Sequence, residues 1–147
     1  MANSKELSCG IIISNGSLIL AALPFGKRNE KGSYDILKGR WQEGETHIDT
    51  AVRETQEESG LVISPKYLVD LGIFNYRPKK GLHLFFFLTD SLPNLVTLKC
   101  SSYFSLNGKN VPEMASYRYI EVGDLDWFLP SLVPVLEAAL LKYLFLT

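Results

Sequence analysis

The chain has 147 residues, a net charge of −1, 46% apolar residues and 21% charged residues, which excludes a disordered or fibrous chain and fits one domain over 1–147. The near-zero charge gives no global basic field for a nucleic acid or a membrane surface, although it leaves a local patch open. The sequence lacks both an apolar run of ~18 residues and a secretory signal, so we expect a cytoplasmic protein without a membrane partner.

The first part of the chain predicts a strand hairpin and then loops. Two apolar runs within 8–23 flank Asn15-Gly16, a dipeptide that strongly favours a hairpin turn. Residues 24–33 are rich in glycine and charge and predict a loop, and 34–37 predict a short strand. Residues 39–45 contain two glycines and no helical period, so they predict another loop.

A helix is predicted from Thr46 to Ser59. The Thr46 hydroxyl suits an N-cap, and Asp49 three residues later suits the positive end of the helix dipole. Gly60 suits the left-handed residue that ends a helix. Four residues recur at helical spacing and predict the face that packs on the core: Ile48, Ala51, Val52 and Thr55.

The second part of the chain predicts mainly strands, followed by a helix. Strands are expected at 67–76, 82–89 and 117–122, a hairpin loop at 77–81, a further strand or edge segment within 95–104, and a helix at 131–146. The order hairpin, helix, strands, helix predicts an α/β fold with a mixed central sheet and helices on its faces.

Three carboxylates cluster on the predicted first helix. Glu54, Glu57 and Glu58 stand at i, i+3 and i+4, so they share one face and repel each other by a few tenths of a kcal/mol per pair. They fit a solvated face, or a salt-bridge lattice with Arg53. They also fit a site for a hard cation such as Mg²⁺ or Mn²⁺, which takes oxygen ligands. These residues alone leave the three interpretations open.

The surrounding spacing resembles the signature of the Nudix hydrolases. It reads Gly39, five residues, Glu45, seven residues, Arg53-Glu54, then Glu57-Glu58 and Gly60-Leu61. Its one departure is Thr55, where an aliphatic residue is commoner. The resemblance implies a Nudix-like α/β/α sandwich with a mixed central sheet. It also implies hydrolysis of a phosphoanhydride bond in a nucleoside diphosphate derivative, with Mg²⁺ (or Mn²⁺) as cofactor.

The resemblance further implies roles for individual residues. The catalytic set is Glu54, Arg53 and Glu57, with Glu54 either a metal ligand or the base. The metal ligands are the Gly39 carbonyl, Glu54, Glu57, Glu58 and Glu113. The substrate contacts are Lys38, Arg77 and Tyr76. Glu45 is expected to orient Arg53 rather than bind metal. For Glu113 an exposed loop carboxylate stays an alternative, as a solvated turn does for the basic loop at 77–80.

The resemblance leaves the substrate open within one class. The Pro112-Glu113 segment and the short domain favour a dinucleoside polyphosphate, a 5′-phosphorylated RNA end or a related nucleotide. The distances of Tyr76 and Pro78 beyond the end of the signature at Leu61 match neither of the two spacings that accompany particular substrates in the family. We expect a small-molecule nucleotide or an RNA 5′ end as partner, in a monomer or homodimer. A non-catalytic nucleotide-binding sensor is the alternative, although such binders usually lose a signature glutamate and this chain keeps them all.

Five other residues bear on the site. Cys9 and Cys100 are far apart and predict buried, reduced thiols rather than a zinc site. His47 and His83 stand alone in the sequence, and His83 is expected to be a satisfied residue of the sheet. Trp41 is expected to pack its loop down rather than to stack on a base.

Overall fold

The first two strands meet at the Asn15-Gly16 turn, as the sequence predicts. In the computed structural model, which describes residues 6–147, β1 is Glu6–Ser14 and β2 is Leu18–Pro24. They pair antiparallel at Ser14 and Ile19, next to the turn, and then diverge. The divergence leaves the first half of β1 with an edge that another strand can use.

The third strand, β3 (Leu37–Arg40), fills that edge and pairs antiparallel with β1. The loop predicted at 39–45 is therefore wrong at Gly39 and Arg40, and the strand predicted at 34–37 lies too early. Residues 34 and 35 make isolated bridges instead. The strand conformation of these residues depends on pairing with β1, which is distant in the sequence. The local glycine content does not indicate that pairing.

One mixed sheet holds most of the remaining elements. After β3 come α1 (His47–Ser59), β4 (Val69–Arg77), β5 (Lys80–Leu88), β6 (Tyr103–Leu106), β7 (Lys109–Pro112), β8 (Met114–Glu121) and α2 (Val133–Leu146). The sheet order is β4-β5-β1-β2-β8, with β1 and β5 parallel and β6-β7 a separate hairpin. The predicted α/β class with a mixed central sheet is confirmed.

The predicted segment 95–104 is largely not a strand. A 3₁₀ turn occupies Leu95–Thr97, where the Asn94 side chain accepts a hydrogen bond from the Val96 amide. This local side-chain contact competes with strand pairing. The strand β6 begins only at Tyr103.

Two apolar clusters cover the two faces of the sheet. The α2 side joins Leu84 and Phe86 to Leu136, and the α1 side joins Phe85 to Ala51. Successive strand residues point to opposite faces, so this run of phenylalanines fills both clusters. Cys9 and Cys100 are buried free thiols in the α1-side cluster, as predicted. Among residues 6–147, no helix is long and apolar enough to cross a membrane.

Helix α1 begins and ends where the sequence predicts. Thr46 Oγ1 accepts a hydrogen bond from the Asp49 amide at 3.1 Å, and Gly60 adopts φ of 82° with its N–H donated to the Gln56 carbonyl. Ala51 and Thr55 are fully buried against the sheet. The caps and the buried face fix which way the three carboxylates point.

We expect Thr46→Ala to lower the free energy of unfolding by about 1 kcal/mol, because the Asp49 amide loses its acceptor. Urea unfolding followed by circular dichroism would measure the loss. Thr46→Ser is the matched control, since it keeps the hydroxyl and is expected to remain close to wild type. Equal stability of the alanine and serine variants would contradict the capping role.

Candidate active site

The guanidinium of Arg53 holds three carboxylates together. Its Nε and Nη2 donate to both oxygens of Glu45, at 2.7 and 2.9 Å. Its Nη1 donates to Glu54 Oε2 at 2.8 Å and reaches Glu57 Oε2 at 3.2 Å. The paired guanidinium lowers the pKa of Glu45 to about 2. Of the three interpretations of the acidic face, the salt-bridge lattice is thus present.

The loop that carries Glu45 is fastened at both ends. The Trp41 amide donates to the Leu7 carbonyl at 2.9 Å, and the Trp41 indole donates to the Glu45 carbonyl at 2.8 Å. The Thr50 hydroxyl on α1 donates to Glu45 Oε1 at 2.9 Å. Trp41 therefore packs the loop onto the sheet, as the sequence predicts, and Glu45 is set to orient Arg53.

Glu54 lies against the backbone of Gly39. A Cβ atom added at Gly39 would stand 1.9 Å from Glu54 Cδ and 1.9 Å from its Oε1. The carboxylate thus needs a residue without a side chain at this position of β3. Burial raises the pKa of Glu54, Arg53 opposes that rise, and the charges of Glu57 and Glu113 add to it.

Glu58 is the most buried carboxyl of the group, with 3% of the residue exposed. Its Oε1 accepts a hydrogen bond from the Lys38 amide at 3.1 Å, and the Tyr117 hydroxyl donates to its backbone carbonyl. Burial raises the pKa of Glu58 to about 9, against the opposing effects of the Lys38 amide and ammonium. Even beside the Lys38 ammonium, this carboxyl therefore favours its protonated form at neutral pH.

Glu57 and Glu113 lie on the solvent side of the cluster. The Glu57 side chain is 40% exposed. Glu113 lies between β7 and β8, where its amide donates to the Ser102 carbonyl at 3.0 Å and its own carbonyl accepts from the Phe25 amide at 2.9 Å. Among residues 6–147, no three Asp, Glu, His or Cys side chains are arranged to hold a metal ion as they stand.

The three predicted substrate contacts lie together, but Lys38 is engaged inside the protein. Its ammonium pairs with Asp35 Oδ2 at 3.0 Å and lies 5.7 Å from the centre of the Tyr76 ring. Arg77 stacks on the same ring at 4.8 Å and donates to Ser131. The sequence analysis did not single out Asp35. The one local indication of this ion pair is an aspartate three positions before a lysine.

The structure joins the two histidines that stand alone in the sequence. His47 Nδ1 and His83 Nδ1 are 2.8 Å apart, and His83 Nε2 lies 2.6 Å from Asp70 Oδ1. The His47 ring also meets Trp41 edge-on. His83 is a satisfied residue of the sheet, as predicted, and the pair links β4 and β5 to the start of α1.

We expect the metal-free protein to be more stable at about pH 6 than at about pH 8.5, because Glu58 binds a proton more tightly when folded. The stability from that proton is full below the unfolded pKa and is lost as pH rises through the folded value of about 9. Urea unfolding with a chelator, in wild type and Glu58→Gln, would isolate this contribution as the difference between the two pH trends. Identical trends in both proteins would contradict it.

Comparisons with known proteins identify the family of this chain. The NUDIX domain family model matches residues 5–139. An uncharacterized 17.7 kDa protein from the e-segB intergenic region of Enterobacteria phage T4 is 32% identical over 124 residues, which cover 79% of this chain and 82% of that protein.

Two solved structures are similar in fold. The NUDIX domain of Shewanella oneidensis NrtR, complexed with ADP ribose, aligns with a TM-score of 0.67 and 10% identity over 95% of this chain and 89% of that one. A bifunctional NMN adenylyltransferase/ADP ribose pyrophosphatase from Francisella tularensis, complexed with AMP and a Mn ion, aligns with a TM-score of 0.63 and 15% identity over 90% of this chain. The chain spans only 41% of that second protein's length. These TM-scores show a common fold, and the family match over residues 5–139 shows that the chain belongs to the NUDIX domain family.

Proposed function

We propose that the protein is a divalent-metal-dependent pyrophosphohydrolase that cleaves a phosphoanhydride bond in a nucleoside diphosphate derivative. The observation that carries this proposal is the group of carboxylates ordered by Arg53, with the Gly39 backbone against Glu54. The NUDIX domain match supports the same enzyme class. The predicted location in the cytoplasm and the choice between monomer and homodimer stay predictions.

The donor set fits Mg²⁺ or Mn²⁺. Both ions prefer oxygen ligands, and the proposed ligands are the Gly39 carbonyl and the carboxylates of Glu57, Glu58 and Glu113, since Glu54 is given the other role that the sequence allows it. Glu58 supports this assignment, because burial disfavours its charged form and a neighbouring cation would stabilise that form. When bound, such ions neutralise diphosphate charge and lower the pKa of a coordinated water.

Within this proposal, Glu54 is the base. Arg53 fixes its Oε2, and its Oε1 is left beside the Gly39 backbone as the atom that accepts a proton from water. Burial raises the pKa of Glu54, which suits a group that takes up a proton and then releases it. The resulting hydroxide attacks phosphorus, and the bridging oxygen leaves with the other phosphate group.

Several substrates fit the proposed chemistry. The sequence favours a dinucleoside polyphosphate or a 5′-phosphorylated RNA end, and the ADP ribose bound by the Shewanella domain adds that compound to the class to be tested. Tyr76 and Arg77 remain proposed substrate contacts. Lys38 would have to leave its 3.0 Å ion pair with Asp35 before it could reach a phosphate.

We expect Glu57→Gln to lower Mg²⁺-dependent turnover by about a hundredfold or more, because it removes a proposed ligand charge. Phosphate or AMP release would be measured over dinucleoside polyphosphates, ADP-ribose, nucleoside triphosphates and 5′-triphosphate RNA, with Mg²⁺ and with Mn²⁺. Glu137→Gln on α2 is the matched control, since Glu137 is an exposed glutamate outside the cluster.

Full turnover in Glu57→Gln would refute the assignment of this residue. Tight nucleotide binding without product, in folded wild-type protein, would favour a non-catalytic sensor instead. Absence of both binding and turnover would point to a module with an interaction role only.

We also expect Gly39→Ala to lose at least about tenfold in turnover, because the new Cβ would displace the Glu54 carboxylate. Gly123→Ala is the matched control, since an added Cβ there meets no atom within 4 Å. Turnover assays and circular dichroism of both variants would separate loss of activity from loss of folding. A folded Gly39→Ala variant with wild-type turnover would refute the role given to Glu54.

A further inference from the structure

Two exposed phenylalanines form an aromatic corner beside the proposed site. The rings of Phe25 and Phe104 meet at 67°, with their centres 5.6 Å apart. Phe25 is 44% exposed and Phe104 is 38% exposed. An edge-to-face pair of this kind leaves ring surface open to solvent, where a flat aromatic molecule can stack.

The aromatic corner is tied to the backbone of Glu113. The Phe25 amide donates to the Glu113 carbonyl at 2.9 Å, and the Glu113 amide donates to the carbonyl of Ser102, two residues before Phe104. Phe104 also lies opposite Val111 in the β6-β7 hairpin, next to this segment. The Glu113 charge acts on Glu54. The corner is thus joined through the backbone to Glu113, one of the proposed metal ligands.

Two basic residues, Lys27 and Arg28, come shortly after Phe25 in the chain. Gly26 has φ of 85°, and the Lys27 amide donates to the Pro24 carbonyl at 3.1 Å, which closes a tight turn. Lys27 and Arg28 are exposed at this turn. Aromatic rings with neighbouring basic side chains are the combination that proteins use to bind nucleotides by stacking and charge.

We propose that the Phe25–Phe104 corner is a nucleobase-binding site, where the base of the substrate stacks while its phosphates extend toward the carboxylates. This inference rests on the proposed function for the identity of the substrate. It gives the β6-β7 hairpin, which lies outside the central sheet, a role in substrate specificity. Packing of the hairpin against Phe25 accounts for the contact between the rings, but it requires neither ring to remain so exposed.

The test compares a ligand that has a base with one that lacks it. AMP and ribose 5-phosphate would be titrated into wild type, Phe25→Leu and Phe104→Leu, with affinity followed by aromatic NMR shifts. Leucine keeps apolar packing of the hairpin and removes the π face. Phe145→Leu is the matched control, because Phe145 is 86% exposed on α2.

We expect the Kd for AMP to rise about tenfold in each corner variant, as loss of base–aromatic stacking predicts. The Kd for ribose 5-phosphate should not change, and Phe25→Trp should retain AMP binding. With a cleavable nucleotide, KM should rise by a similar factor with little change in kcat. Wild-type affinity for AMP in both leucine variants, or equal binding of AMP and ribose 5-phosphate by wild type, would overturn the inference.

The two proposals fail in different ways. Metal-dependent cleavage by wild type without base-dependent binding at the corner would refute the aromatic site alone. Base-dependent AMP binding, weakened in the corner variants of a protein that cleaves no substrate, would refute the hydrolase and support the corner.

Discussion

The contact of Arg53 with three carboxylates is the interaction on which the acidic face of α1 depends. An arginine stays charged at any ordinary pH, and its planar fork donates to Glu45 through two parallel hydrogen bonds. The remaining nitrogen reaches Glu54 and Glu57, so one cation offsets the repulsion between these two carboxylates, while Glu58 accepts a hydrogen bond from the Lys38 amide instead. Lysine at this position would supply the charge without the fixed geometry.

The same contact explains why the preceding loop has its sequence. Glu45 can meet Arg53 only if the loop closes over the start of α1. The Trp41 amide ties the loop to Leu7 on the sheet, and the Trp41 indole donates to the Glu45 carbonyl within the loop. His47, which lies 2.8 Å from His83 between their Nδ1 atoms, contacts the ring of Trp41 edge-on. Loop, helix and sheet therefore position the carboxylates jointly.

Local features of the fold could be predicted from the sequence, and the distant contacts could not. Thr46 and Gly60 mark the ends of α1 because capping depends on a few neighbouring atoms. The sequence instead predicts a loop at Gly39, because the pairing of Gly39 with β1 and its contact with Glu54 depend on other segments of the chain. The ion pair of Lys38 with Asp35 is local in the sequence, but a spacing of three residues does not show that the lysine side chain turns inward.

The pairing of β1 with β5 has a consequence for how the protein folds. These two strands run parallel in the middle of the sheet, and α1 and β4 lie between them in the chain. A long loop must close before they pair, which slows folding and favours late assembly of the central sheet. During synthesis, β1 emerges well before β5 and keeps an unpaired apolar edge until β5 arrives. The nascent chain is therefore prone to aggregation until β5 has been synthesised and pairs with β1.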